Sequence, residues 1–86
     1  MKTIYKYSLE DNHTVMLPAG AELLTVQAQH GSIYVWALVD IAMGVEPRTI
    51  RIFGTGHILP DTALRYISTI QLDGGAIALH AFEELA

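Results

Sequence analysis

Residues 22–40, ELLTVQAQHGSIYVWALVD, decide the fold. Two runs of alternating side chains flank His30-Gly31, and a period of two is the pattern of a strand with one buried face. His30-Gly31 fits a tight two-residue hairpin turn, which needs left-handed backbone at its centre. With that turn Val26 faces Val35, Thr25 faces Trp36, Gln27 faces Tyr34 and Leu24 faces Ala37. One side of the ribbon is then Leu24, Val26, Ala28, Ile33, Val35, Ala37 and Val39, and this side reads as core. The other carries Tyr34, Trp36 and Leu38 beside Thr25, Gln27 and Gln29.

The same grammar extends in both directions. Thr3–Ser8 alternates as a half-exposed strand, and His13–Leu17 is a short extended piece stopped by Pro18 with a turn at Ala19-Gly20. Arg48–Phe53 puts Ile50 and Ile52 on one face and Arg51 and Phe53 on the other. Ile41–Pro47 and Ile58–Ala63 read as loops. Arg65–Leu72 and Ala76–Glu83 form a second hairpin around Asp73-Gly74-Gly75, turning at Asp73-Gly74 or at Gly74-Gly75. Either choice groups Ile70 and Leu72 with Ile77 and Leu79, whereas a three-residue loop swaps the second strand's faces. Helical periodicity is nearly absent. The expectation is an all-β domain over residues 1–86, a compact antiparallel sandwich or partly open barrel of six to seven short strands.

Composition bounds what such a domain does. The chain is 51% hydrophobic and 16% charged, which suits a globular core and leaves apolar surface for contact with a partner or another copy. It has no cysteine, so disulfides, thiolate metal sites and a cysteine nucleophile are excluded. A net charge of −4 with five Lys and Arg gives no footprint for nucleic acid. The start of the chain, MKTIYKY, reads as neither a signal peptide nor a membrane span.

"RIFGTGHILPD", residues 51–61, is the stretch that most resembles a chemical motif. Gly54-Thr55-Gly56-His57 is a bend leaving a strand, or a loop that holds a ligand. A phosphate cradle needs backbone N–H groups converging at a following helix. Pro60 opposes an immediate helix, no lysine follows, and the third glycine of a dinucleotide fingerprint is missing. His13, His30, His57 and His80 are too scattered for ligand spacing, so no metal or other cofactor is expected. Ser68 or Thr55 could be assembled with His80 and an aspartate for hydrolysis, but no nucleophile elbow surrounds them. Glu83 and Glu84 point to opposite faces of a strand and read as a solvated chain end.

The face bearing Tyr34 and Trp36, extended by Arg51 and Phe53, mixes rings with uncharged polar groups, as contact surfaces do. It is either covered by a second sheet or left for a protein partner.

The ordered motifs KTIYKY, LPAGAELLTVQAQ, WALVD, FGTGH and YISTIQLDGGAIALHAFEE resemble a family of small proteins of tailed phages and prophages, across essentially the whole chain. The resemblance implies a phage-type origin, an accessory role and action in the cytoplasm of the infected bacterium. It carries no catalytic residues onto this sequence. The expected function is non-catalytic binding of a host or phage protein, counter-defence being one version, by a homo-oligomer anchored through Tyr34, Trp36, Arg51 and Phe53. The alternative is an oligomer that binds or hydrolyses a nucleotide-like molecule with Gly54, Thr55, Gly56 and His57.

Overall fold

His30 (φ 53°) and Gly31 (φ 81°) both take left-handed backbone, the pairing that matches a tight turn to the twist of its strands. They join β3 (Glu22–Gln29) to β4 (Ser32–Asp40) in a computed structural model that describes residues 1–9 and 13–85. Thr25 pairs with Trp36, Val26 with Val35 and Gln27 with Tyr34, as the alternation requires. Above Thr25 the register slips. Leu23, not Leu24, pairs with Ala37, and Leu24 is an inserted bulge residue left 38% exposed. Two adjacent leucines are equally apolar, and a bulge turns the strand by one residue. Leu24 therefore leaves the core side and Leu23 takes its place.

β1 (Lys2–Ser8) pairs with the other edge of β4, giving a three-stranded sheet in the order β1-β4-β3. The second sheet runs β2-β5-β7-β6, from β2 (Thr14–Pro18), β5 (Val45–Gly54), β6 (Leu64–Leu72) and β7 (Ile77–Glu84). All pairings are antiparallel, and the two sheets do not close into a barrel. The sandwich expectation holds, with seven strands.

The β6–β7 register, Leu72 to Ile77 and Ile70 to Leu79, is that of the Gly74-Gly75 turn. Asp73–Gly75 form a single 3-10 turn, closed by Ala76 N–H to the Asp73 carbonyl at 3.1 Å. β5 begins at Val45, so only its first four expected loop residues, Ile41–Gly44, lie outside the strand. Pro47 is tolerated there because the β7 ladder starts only at Thr49, leaving Pro47 with a strand on one side alone.

One core lies between the sheets. Val26, Val35, Ala37 and Val39 from the first sheet meet Leu17, Ile50, Ile70 and Ala81 from the second, all essentially inaccessible. The sheets are tied where β3 approaches β6. Ser68 Oγ accepts from Val26 N–H at 2.9 Å and donates to the Val26 carbonyl at 2.7 Å. This committed hydroxyl is a structural clasp. Ile67 beside it is the bulge residue of β6, so both strands bend at the junction.

Glu83 corrects the reading of a solvated end. It faces inward, its side chain 6% exposed, with Nε and Nη2 of Arg48 on its two carboxylate oxygens. Arg48 is itself only 15% exposed and donates from Nη1 to the Ala21 carbonyl at 2.8 Å. Its hydrogen bond to Glu83 holds its pKa above the ordinary arginine value, against the opposing effect of burial. The strand reaches Glu84, so the parity argument was sound but the packing behind it was invisible.

Asp40, at the end of β4, accepts from Ala42 N–H at 3.1 Å and from the Met1 amino group at 3.2 Å. Both bonds favour the ionised carboxylate, the backbone bond most, and lower its pKa. A depressed folded pKa gives stability that is complete above the ordinary carboxylate range, about pH 4, and lost as pH falls through the folded value. Thermal melts from pH 6 downward should therefore decline more steeply for the wild type than for Asp40→Asn below about pH 4. Parallel declines would show that Asp40 makes no such contribution.

Candidate functional site

The alternation that buries Val35 and Ala37 turns Tyr34 and Trp36 to the opposite face of the first sheet, away from the core. Their rings meet edge to face with centroids 6.1 Å apart. Lys6, cross-strand from Trp36, lays its ammonium 4.6 Å from the Tyr34 ring centroid and 6.0 Å from that of Trp36. The same ammonium donates to Gln29 Oε1 at 2.9 Å. Gln27 Nε2 donates to Thr25 Oγ1 at 3.0 Å alongside. Ile4, Thr25 and Gln27 complete this face by register. Two rings fixed by a cation and by uncharged polar neighbours form a platform whose shape is set before anything binds.

Arg51 and Phe53 do not join it. They belong to β5 and stand on the outer face of the second sheet, across the sandwich from Trp36. Phe53 and Tyr66 each pack edge-on against Phe82, with centroids 5.9 and 5.6 Å apart. Arg51 lies 5.5 Å from the Phe53 ring and ion-pairs with Glu84 at 2.6 Å. The four expected anchors are therefore split into two pairs, on two separate surfaces. Strand parity alone could not reveal which sheet β5 enters.

The Gly54–His57 stretch is a turn at the end of β5. His57 N–H bonds back to the Gly54 carbonyl at 3.1 Å, and Gly54 N–H points at His57 Nδ1 at 3.3 Å. The imidazole lies against Gly54, where an added Cβ would meet Cε1 at 2.9 Å, and Gly56 takes φ 87°. Two N–H groups thus serve the turn, and no helix follows. Thr55, Gly56 and His57 are exposed.

The turn reaches His80, which the sequence reading had set beside Thr55, and through it two further hydroxyls. Thr55 Oγ1 sits 2.7 Å from His80 Nε2, and Thr69 Oγ1 sits 3.1 Å from His80 Nδ1. Tyr66 Oη continues the chain to Thr69 at 2.6 Å. Both imidazole nitrogens are therefore engaged by hydroxyls that donate or accept as the tautomer requires. Ser68, the other hydroxyl considered for hydrolysis, is on the inner face and occupied by Val26. The sequence had set Thr55 with His80 only as parts of a hydrolytic set, and nothing in it joined them to Tyr66 and Thr69 in one chain.

A cleft of about 260 Å³ opens between Glu22-Leu23 and Arg65–Ile67, with Arg48 and Glu83 in its lining. Of its charged groups, Arg48 and Glu83 are already paired with each other. Among the described residues, no group of three His, Asp or Glu side chains is placed to hold a metal ion.

A family model described as Domain of unknown function (DUF7352) matches residues 1–86, and the chain belongs to that family. No curated protein and no solved structure matches it.

Proposed function

We propose that this member of the DUF7352 family is a non-catalytic binding protein of phage or prophage origin. It acts as a homo-oligomer in the cytoplasm of the bacterial host and engages a host or phage protein, a counter-defence target being one such partner. The observation that supports this reading best is the outer face of the first sheet, where half-buried Tyr34 and Trp36 form with Lys6 a fixed aromatic platform. Rings held in place lose little conformational freedom on binding and bury large area, so they suit the centre of an interface. The net charge of −4 favours a partner with a basic contact surface. The ordered motifs KTIYKY to QLDGGAIALHAFEE support the phage-type origin.

The test is affinity purification from host cells with wild type, Trp36→Ala and Phe53→Ala, followed by titration of the retained protein. Truncating a central aromatic anchor typically weakens binding by about thirtyfold or more. Trp36→Ala should show that loss while Phe53→Ala, on the opposite face, binds as wild type. A partner held equally by wild type and folded Trp36→Ala contradicts this reading, as does no specific partner at all.

A second reading is favoured by the contact of Thr55 with His80, which ties the Gly54–His57 turn to the Tyr66–Thr69–His80 chain. Here a nucleotide-like molecule sits on the outer face of the second sheet. The same variants separate the two, because a ligand on that face is lost with Phe53→Ala and not with Trp36→Ala.

A further inference from the structure

β1 pairs with β4 along one side, and among the described residues no strand pairs with its other side. It runs seven residues without glycine or proline, and Ile4 and Tyr5 remain 56% and 46% exposed. Free edges are commonly blunted by proline, a bulge or an outward lysine. Lys6 does not guard this one, because its ammonium reaches back across β4 to Tyr34 and Gln29.

The direction of the backbone groups follows from two bonds. Leu9 N–H donates to the Ile33 carbonyl at 2.9 Å, and the Met1 carbonyl accepts from Ile41 N–H at 3.1 Å. Odd-numbered residues therefore aim their groups at β4. Direction alternates along a strand, so Lys2, Ile4, Lys6 and Ser8 aim theirs outward.

We propose that this edge pairs antiparallel with the same edge of a second copy, with Tyr5 opposite Tyr5 on the two-fold axis. The inference rests on the self-association in the function proposed above, and is independent of what the Trp36 face binds. A symmetric ladder must set outward residues against outward residues, which limits the register to steps of two. With Ile4 on the axis, Lys2 opposes Lys6, and with Lys6 on the axis, it opposes itself. Like charges directly opposite destabilise a pair. With Tyr5 on the axis, Ile4 opposes Lys6 and Lys2 opposes Ser8. Every outward N–H and C=O from Lys2 to Ser8 is then matched and no lysine faces a lysine. Tyr5 meets Tyr5 and Thr3 meets Tyr7 as close, non-hydrogen-bonded pairs, the setting that favours aromatic contact. β2, which pairs with β5 alone among the described residues, fits less well: it has five residues and ends in Pro18, which has no N–H to give. Pairing through β1 makes one six-stranded sheet and places both copies' Tyr34 and Trp36 on the same broad face.

Cross-linking tests the register. The chain has no cysteine of its own. Tyr5→Cys puts thiols on residues about 4.5 Å apart at Cα across the axis, within disulfide range. Ile4→Cys puts them two residues out of step, about 8 Å apart and beyond it. Under oxidised glutathione, Tyr5→Cys should form a covalent dimer and Ile4→Cys should not. In sedimentation equilibrium the wild type should weigh twice 9.4 kDa. Ile4→Pro, which removes an outward N–H and no bond to β4, should be a folded monomer by circular dichroism and mass. A monomeric wild type at about 100 μM, far above the Kd of a stable dimer, overturns the inference together with the self-association beneath it. A wild-type oligomer whose two cysteine variants cross-link alike, or whose folded Ile4→Pro variant stays associated, overturns the β1 interface while self-association stands.

Discussion

Replacing Glu83 with glutamine is expected to cost about 3 kcal/mol of folding stability, the lower end of what unpairing a buried charge costs. In a domain of this size that lowers Tm by about 12 °C or more. Arg48 cannot escape by losing its proton, because a guanidinium stays charged, and Glu83 raises its pKa further. It would be left among Ala21, the carbonyl it bonds at 2.8 Å, and Glu46, 3.8 Å away and more exposed. Arg48→Met combined with Glu83→Leu should recover most of the loss, since a buried pair replaced as a whole by apolar groups is close to neutral. Urea melts of the three variants check this. A Glu83→Gln protein within about 0.5 kcal/mol of wild type, the scatter of an ordinary surface change, would mean that solvent rather than Glu83 satisfies Arg48.

Ser68→Ala should cost about 2 kcal/mol, or about 8 °C in Tm, although it removes a single oxygen. The size follows from what is left behind. Val26 is fully buried, and both its N–H and its C=O depend on that hydroxyl. Each orphaned buried backbone group carries a desolvation penalty of about 1–3 kcal/mol. Ser68→Thr keeps the hydroxyl and should retain most of the stability. Because β3 and β6 meet at this clasp, amide exchange at Val26 should accelerate more in Ser68→Ala than exchange at Ile50 in the centre of the second sheet. Equal acceleration at both sites would indicate general loosening, and no change in Tm would remove Ser68 from the junction.

What the sequence made legible was everything that depends on parity near a marked turn. His30-Gly31 set the ladder from Gln29 to Thr25. The second turn set only which faces go together, because Asp73-Gly74 and Gly74-Gly75 both allowed them, and the register is that of Gly74-Gly75. Parity failed beyond the two bulges, at Leu24 and Ile67, and at the first the extra residue leaves no compositional mark because Leu23 beside it is equally apolar. Sheet membership was also hidden. Arg51 and Phe53 resemble Tyr34 and Trp36 in chemistry, yet β5 belongs to the other sheet, so the expected patch became two faces. Glu83 was misread because burial of a carboxylate depends on a partner thirty-five residues away, and no local pattern shows that. The His80 chain needed three elements, the turn at Thr55, β6 and β7, to come together in space.

The outward direction of Tyr34 and Trp36 on the β3–β4 ribbon underlies both the aromatic platform and the division into two faces. The most direct test is a carbon-edited NOESY spectrum centred on the single tryptophan. Cross-peaks from the Trp36 ring to Thr25, Lys6 and Tyr34, with none to the methyl groups of Leu17, Ile50 or Ile70, are the result expected. Strong cross-peaks from Trp36 to Ile50 and Ile70 would place the ring inside the sandwich and contradict it.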